Sequence, residues 1–233
     1  MNFIIDLFYK ILRLPKVLKG KDILFFVQKK VKTITLGNKG ASWTLSNEHI
    51  NKNSIIYSFG VGTDNSFDVE LINRFGTKIY AFDPTPKSIQ WVKDQNLPKE
   101  FVFQPYGVAA ESGEIEFTLP ENSNYVSGSI HNVLGSKGTT IKVPVKSLEE
   151  IMSNLSHSQI DILKMDIEGS EYEVIDCVID KKIPVKQILV EFHHRFPAIG
   201  IAKSKIAINK LNLAGYKIFH VSVTGEEYSF IKD

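Results

Sequence analysis

Four carboxylates fall within eight residues in the segment LKMDIEGSEYEVI, residues 163–175: Asp166, Glu168, Glu171 and Glu173. They follow an apolar run that reads as a buried strand and contains one charge, Lys164. A lysine in such a strand needs a carboxylate partner or a depressed pKa. Lys164 and Asp166 share strand parity, and in the apolar run 188–192 the parity of Glu191 continues to His193. We expect Lys164, Asp166, Glu191 and His193 to form one polar cluster, either catalytic or a structural ion-pair network. In the catalytic case His193, by its ordinary pKa, is the candidate base that takes a proton from a hydroxyl nucleophile. Asp166 would hold the acceptor hydroxyl. Alternatively, Asp166, Glu191 and His193 would ligate Mg²⁺ or Mn²⁺, which acidifies the hydroxyl directly.

A second constellation lies upstream. Gly60-Val61-Gly62 follows the apolar run IIYSF, and Asp83 stands 21 residues after Gly62 at the end of the run KIYAFD. A glycine bend lets backbone approach a ligand, and an acid in that register can accept both hydroxyls of a ribose. A dinucleotide fingerprint would place a third glycine where Asn65 stands, and Asp64 would repel a pyrophosphate at the helix start. S-adenosylmethionine carries a sulfonium and an amino group instead, so the acids suit it better than NAD. An NAD-linked oxidoreductase is the alternative enzyme. A non-catalytic cofactor-binding or scaffold protein is the alternative outside catalysis.

The elements that must position these residues alternate strand and helix, as in a parallel doubly wound sheet. Phe67, Leu71, Ile72 and Phe75 recur at helical spacing and end at Gly76. A third strand is expected within 101–109, placing Gly107 and Val108 at the cofactor edge together with Gly60, Gly62, Asp64, Asp83 and Asp166. Residues 115–119 and 139–145 read as a hairpin flanking a polar loop, 122–132, that contains His131 and is expected over the site. Ser147 with Glu150, and Ser170 with Glu173, have capping-box spacing. Glu171 and Glu173 fit the first turn of a helix. The last two apolar runs, 217–223 and 227–231, read as a closing antiparallel pair. His194 alternates away from His193, His157 shows no partner by pattern, and Trp43 is a candidate for covering the cofactor or for ordinary packing.

The stretches YSFGVGTDNSFDVEL, YAFDPTPKSIQWV, GVAAESGEIEF, VPVKSLEEIM and LKMDIEGSEYEVI together resemble the FkbM family of S-adenosylmethionine-dependent methyltransferases. The resemblance runs from about Ile55 to His194, and LKMDIEGSE is its most specific part. It implies a Rossmann-like class I methyltransferase fold: a mostly parallel seven-stranded sheet, helices on both faces and a C-terminal antiparallel pair. It also implies O-methylation of a sugar, glycan or small-molecule hydroxyl. By position Gly60 and Gly62 match the family's glycine motif, Asp83 its ribose-binding acid, and Asp166, Glu168 and Gly169 its signature. Two positions depart from the pattern: Ser58 stands where many members have an acid, and Asp64 where they have a third glycine.

Composition narrows the class further. The net charge of +2 gives no reason to expect nucleic acid as a partner. The charge is uneven, because residues 1–33 carry eight Lys/Arg against Asp6 and Asp22, or +6, leaving −4 for the rest. The first fourteen residues mix apolar and charged positions and are too short to span a bilayer. We divide the chain into a basic amphipathic helical extension, 1–45, and a methyltransferase domain, 46–233. The extension could contact a membrane surface peripherally, at the inner face, or a partner subunit. One cysteine, Cys177, excludes an internal disulfide and suits a cytoplasmic protein.

Overall fold

The computed structural model describes residues 3–118 and 139–232, with side chains from residue 11 onward. The elements in chain order are α1 (Phe3–Leu18), β1 (Thr33–Leu36), β2 (Trp43–Ser46), β3 (Ile56–Phe59), α2 (Ser66–Phe75), β4 (Ile79–Phe82) and α3 (Pro86–Lys93). Then come β5 (Phe101–Gln104), β6 (Gly107–Ala109), β7 (Gly113–Thr118), β8 (Thr140–Ser147), α4 (Leu148–Asn154) and β9 (Ile160–Met165). The chain ends with α5 (Glu171–Asp180), β10 (Val185–Glu191), α6 (Gly200–Leu213), β11 (Tyr216–Val221) and β12 (Glu227–Lys232). The loop 122–132, with His131, lies outside the described residues.

Seven strands form one sheet in the order β11-β12-β10-β9-β3-β4-β5. β9 and β4 run parallel to β3, while β12 is antiparallel to both neighbours, β10 and β11. The chain winds outward from β3 in one direction through β4 and β5, and in the other through β9 and β10. The switch point therefore lies between the carboxyl ends of β3 and β9, where such sheets bind ligands.

Both sheet faces are covered. Tyr57, Phe59, Phe82, Leu163 and Met165 share a core with side chains of α4, α5 and α6. Ile56, Ile79, Ile162 and Leu189 pack with Leu45 and the α2 residues Phe67, Leu71 and Ile72. Fully burying each such side chain contributes about 1.5–3 kcal/mol. The β1–β2 hairpin belongs to this second layer. Gln187 of β10 donates to the Ser46 carbonyl at 2.9 Å and accepts from the Ser46 amide at 2.8 Å. Of the expected helical extension only Phe3–Leu18 is helix, and residues 22–46 are bound into the domain through Ile23 and this hairpin.

The strand expected within 101–109 is two strands. Pro105 has no amide to donate to a ladder, so the main sheet stops at Gln104. Gly107 and Val108 instead enter a small sheet of order β6-β8-β7, in which β7 and β8 form the expected hairpin. Ser147 caps α4 as expected, its hydroxyl accepting from the Glu150 amide at 3.2 Å.

Candidate active site

The glycine bend is shaped from below. Gly60 and Gly62 have φ of +84° and +58°, a region that side chains disfavour. A Cβ on Gly60 would lie 1.9 Å from the Asp166 carbonyl oxygen. Close approach of β9, rather than of a ligand, is what requires glycine there. Lys164 reinforces the bend, donating to the Gly60 carbonyl at 2.5 Å and the Phe59 carbonyl at 3.3 Å. Its ammonium sits 5.3 Å from the centroid of the Trp43 ring. Lys164 thus meets backbone oxygens and an indole instead of the expected carboxylate, and Trp43 packs beneath it. Nearby Asp68 is buried, which raises its carboxyl to about 6, with Lys164 pulling the other way.

Asp83 joins this bend to β4. One carboxylate oxygen accepts from the amides of Val61 at 3.1 Å and Gly62 at 3.0 Å. The other accepts from the Thr85 amide at 2.9 Å and hydroxyl at 2.6 Å. All four acceptor positions are used, so a ribose diol must replace a bond. The Thr85 hydroxyl is the replaceable donor, because Ser88 Oγ lies 2.8 Å from it as an alternative partner. Asp64 is placed otherwise than expected: its carboxylate accepts from Ser66 at the start of α2 and from Asn38, and it does not line the cavity.

That cavity, of about 140 Å³, opens over the bend and is lined by Gly60, Gly62, Asp83, Gly107, Val108 and Asp166, among others. Ile115, Phe117 and Val145 of the small sheet supply an apolar wall that periodicity did not indicate. Phe59 and Phe82 stack at 4.4 Å beneath it. The cradle fits a flat base and ribose over apolar side chains, with carboxylates at one end for a cationic group.

Beyond Asp166 lies the expected polar cluster; Lys164 hydrogen-bonds to Gly60 and acts on Asp166 through its charge, which opposes the rise in that carboxyl's pKa. Asp166, Glu191 and His193 each offer a ligand atom, all within 4.8 Å of one another. His193 is clamped at both ring nitrogens, Nδ1 2.8 Å from Glu171 and Nε2 3.2 Å from Glu168. Asp166 Oδ1 is 3.8 Å from Nε2. Burial alone would lower the His193 pKa, but the bonds to Glu168 and Glu171 outweigh it and push it up to about 12. His193 is therefore an imidazolium near neutral pH, not the free base its ordinary pKa suggests. The carboxyls of Asp166 and Glu191 move upward, by burial in both cases, with mutual repulsion adding to the rise at Glu191.

Glu171 is the residue pattern reading missed, while Glu168, matched above to the family signature, finds its partner in His193. Glu171 is fully buried and accepts from the Ile167 and Gly169 amides. The expected Ser170 cap does not form, and Ser170 makes no side-chain cap bond to α5. Glu168 has φ +54°, a strained setting for a non-glycine residue and the one local signal that it is held for a purpose. His157 also has a partner, the Tyr57 hydroxyl at 2.8 Å, and His194 binds Asp22 at 2.9 Å.

The family model described as the methyltransferase FkbM domain matches residues 47–218. Among curated proteins, the human "Probable methyltransferase-like protein 24" is 24% identical over 189 residues, covering 76% of this chain and 45% of that one. The "Hexuronic acid methyltransferase AglP" of Haloferax volcanii is 26% identical over 117 residues, covering 49% and 47%. The chain thus spans a little under half the length of these relatives. A solved FkbM methyltransferase from Methylobacillus flagellatus KT superposes with a TM-score of 0.47 at 13% identity, covering 78% of this chain and 44% of that one. A sheet with a single antiparallel strand, a glycine bend clasped by an acid at the switch point and a family match over most of the chain agree: this chain belongs to the FkbM methyltransferase family.

Proposed function

We propose that the protein transfers a methyl group from S-adenosylmethionine to a hydroxyl oxygen, with a sugar or glycan as the acceptor. The observation that carries this reading is the double placement of Asp166, which lines the cavity over the glycine bend and also adjoins the Glu191–His193 cluster. The donor supplies an electrophilic methyl on sulfur. As the acceptor's C–O bond forms and the donor's C–S bond breaks, the hydroxyl proton must leave. Asp166 is the group to take it, since its raised pKa brings it near neutral pH, where a general base works best. His193, held as a cation by Glu168 and Glu171, positions that carboxylate. The polar rim and the carbohydrate acceptor named for the Haloferax relative both support a sugar.

In a second reading Asp166, Glu191 and His193 would hold Mg²⁺ or Mn²⁺, with His193 giving up its Nε2 proton and its bond to Glu168 while Nδ1–H stays on Glu171. The compact three-residue donor set favours it, as does a buried carboxylate behind the histidine, the usual support for a metal-bound imidazole. The NAD alternative is disfavoured by the missing third glycine and by Asp64 at the start of α2.

The test is the Asp166→Asn variant. Calorimetry should show S-adenosylmethionine still bound, more weakly than by wild type, and no heat with NAD. Methylation of a hexuronate acceptor panel, read by mass, should fall roughly 10²–10⁴-fold. Undiminished turnover would remove Asp166 as the proton acceptor. Heat with NAD alone would overturn the methyl-donor reading.

A further inference from the structure

The N-terminal segment is built the wrong way round for a helix that packs on its own domain. Arg13 of α1 faces inward and is buried. Its guanidinium donates to Asp22 twice, at 3.2 Å, and to the Ile23 carbonyl at 2.7 Å. Ile11, Leu14 and Leu18, at i, i+3 and i+7, lie on the opposite side of the helix and are 57%, 43% and 79% exposed. Six of the eight large apolar side chains exposed among the described residues fall in this one segment: Ile11, Leu12, Leu14, Leu18, Phe26 and Val27. Lys16, Lys19, Lys21, Lys30 and Lys32 are exposed among them, and the one acid from 11 to 32, Asp22, is buried.

We propose that residues 11–32 are a docking surface for an anionic lipid bilayer, on which α1 lies flat. The composition selects this occupant. Protein–protein interfaces enrich aromatics and deplete lysine. Interfacial helices combine an apolar stripe with lysines that reach the anionic headgroups. No described helix is long and apolar enough to cross a membrane, which leaves a surface position.

The attachment lies close to the site. Asp22 also accepts from Arg195 at 2.9 Å and binds His194, the two residues after His193. Arg195 pairs in turn with Glu226, beside the Glu191–Glu227 register of β10 and β12. A bilayer bound by α1 therefore lies at the carboxyl edge of the sheet. Where the methyltransferase reading holds, that edge is the acceptor's side, which suits a glycan carried on a lipid.

Sedimentation of the full chain with phosphatidylcholine vesicles, with and without phosphatidylglycerol, tests the proposal independently of any methylation. Binding should require the anionic lipid and weaken as salt is added. The triple variant Ile11→Glu/Leu14→Glu/Leu18→Glu replaces only exposed side chains. It should lose vesicle binding roughly tenfold or more while keeping its affinity for S-adenosylmethionine. Equal sedimentation with and without vesicles, or full binding by the triple variant, would overturn the proposal. So would a self-associated chain in velocity sedimentation that the variant dissociates while neither form binds lipid, since a second copy would then be the occupant.

Discussion

The charge states of Asp166, Glu191 and His193 decide what the candidate site can do. His193 carries two carboxylate partners, so its charge is set by its neighbours and it titrates far above neutral pH. Asp166 and Glu191 are half-buried, close together, and titrate as a unit. A carboxylate that must accept a proton works only when ionised. With burial raising that pair above the ordinary carboxylate range, the rate should begin to fall at a higher pH than the value near 4 of an exposed aspartate. The pH dependence of kcat with saturating donor checks this, and an acid limb near 4 would show that burial does not tune the group. The same preparation treated with EDTA separates the two readings. Unchanged turnover supports Asp166 acting alone, whereas activity lost and restored by Mn²⁺ supports the metal. At this scale the chain was only partly legible. Asp166, Glu191 and His193 were recoverable because strand parity brings them together. Glu171 was not, because an acid in a first helical turn looks like a partner of the helix dipole until burial shows otherwise.

Among the elements, the contact between β3 and β9 holds the site together. Gly60 and Gly62 look equivalent in GVG, yet the structure separates them. Gly60→Ala must both force a side chain into the left-handed region and clear the Asp166 carbonyl. We expect it to cost roughly 2–4 kcal/mol and to abolish donor binding. Gly62→Ala carries the left-handed penalty, roughly 1–2 kcal/mol. Urea unfolding of the two variants measures the difference, and equal losses would mean that β9 yields at Gly60. The alternation of strands and helices was readable from periodicity, and so were the Gly76 stop and the Ser147 cap. The small sheet was not. Its β6–β8 pairing joins residues 107–109 to 145–147, a non-local contact that leaves no local pattern.

For the whole molecule, Asp22 ties α1, the β10 end and the β11–β12 turn into one body. Burial would raise its pKa, but bonds from Arg13, His194 and Arg195 drive it well below the usual carboxylate range. A depressed folded pKa means stability that is fully present above the unfolded value near 4 and lost as pH falls below it. Asp22→Asn should therefore cost roughly 3–5 kcal/mol at neutral pH, because it strands buried cations. The gap from wild type should close as pH is lowered below about 4. Denaturant unfolding across that range measures it. A gap independent of pH would assign the loss to packing instead of charge.

By itself the sequence determined the alternating architecture, the glycine bend with its acid one strand later, and the carboxylate–histidine set, because each depends on spacings of two to about twenty residues. It also disclosed a basic, amphipathic N-terminus. Only the tertiary structure decided which partners those side chains take. It turned Lys164 to backbone carbonyls, saturated the Asp83 carboxylate, closed Glu168 and Glu171 on His193, and left Ile11, Leu14 and Leu18 of α1 exposed. Those outcomes depend on which strands lie side by side and how deeply each charge is buried, and neither is local to the chain.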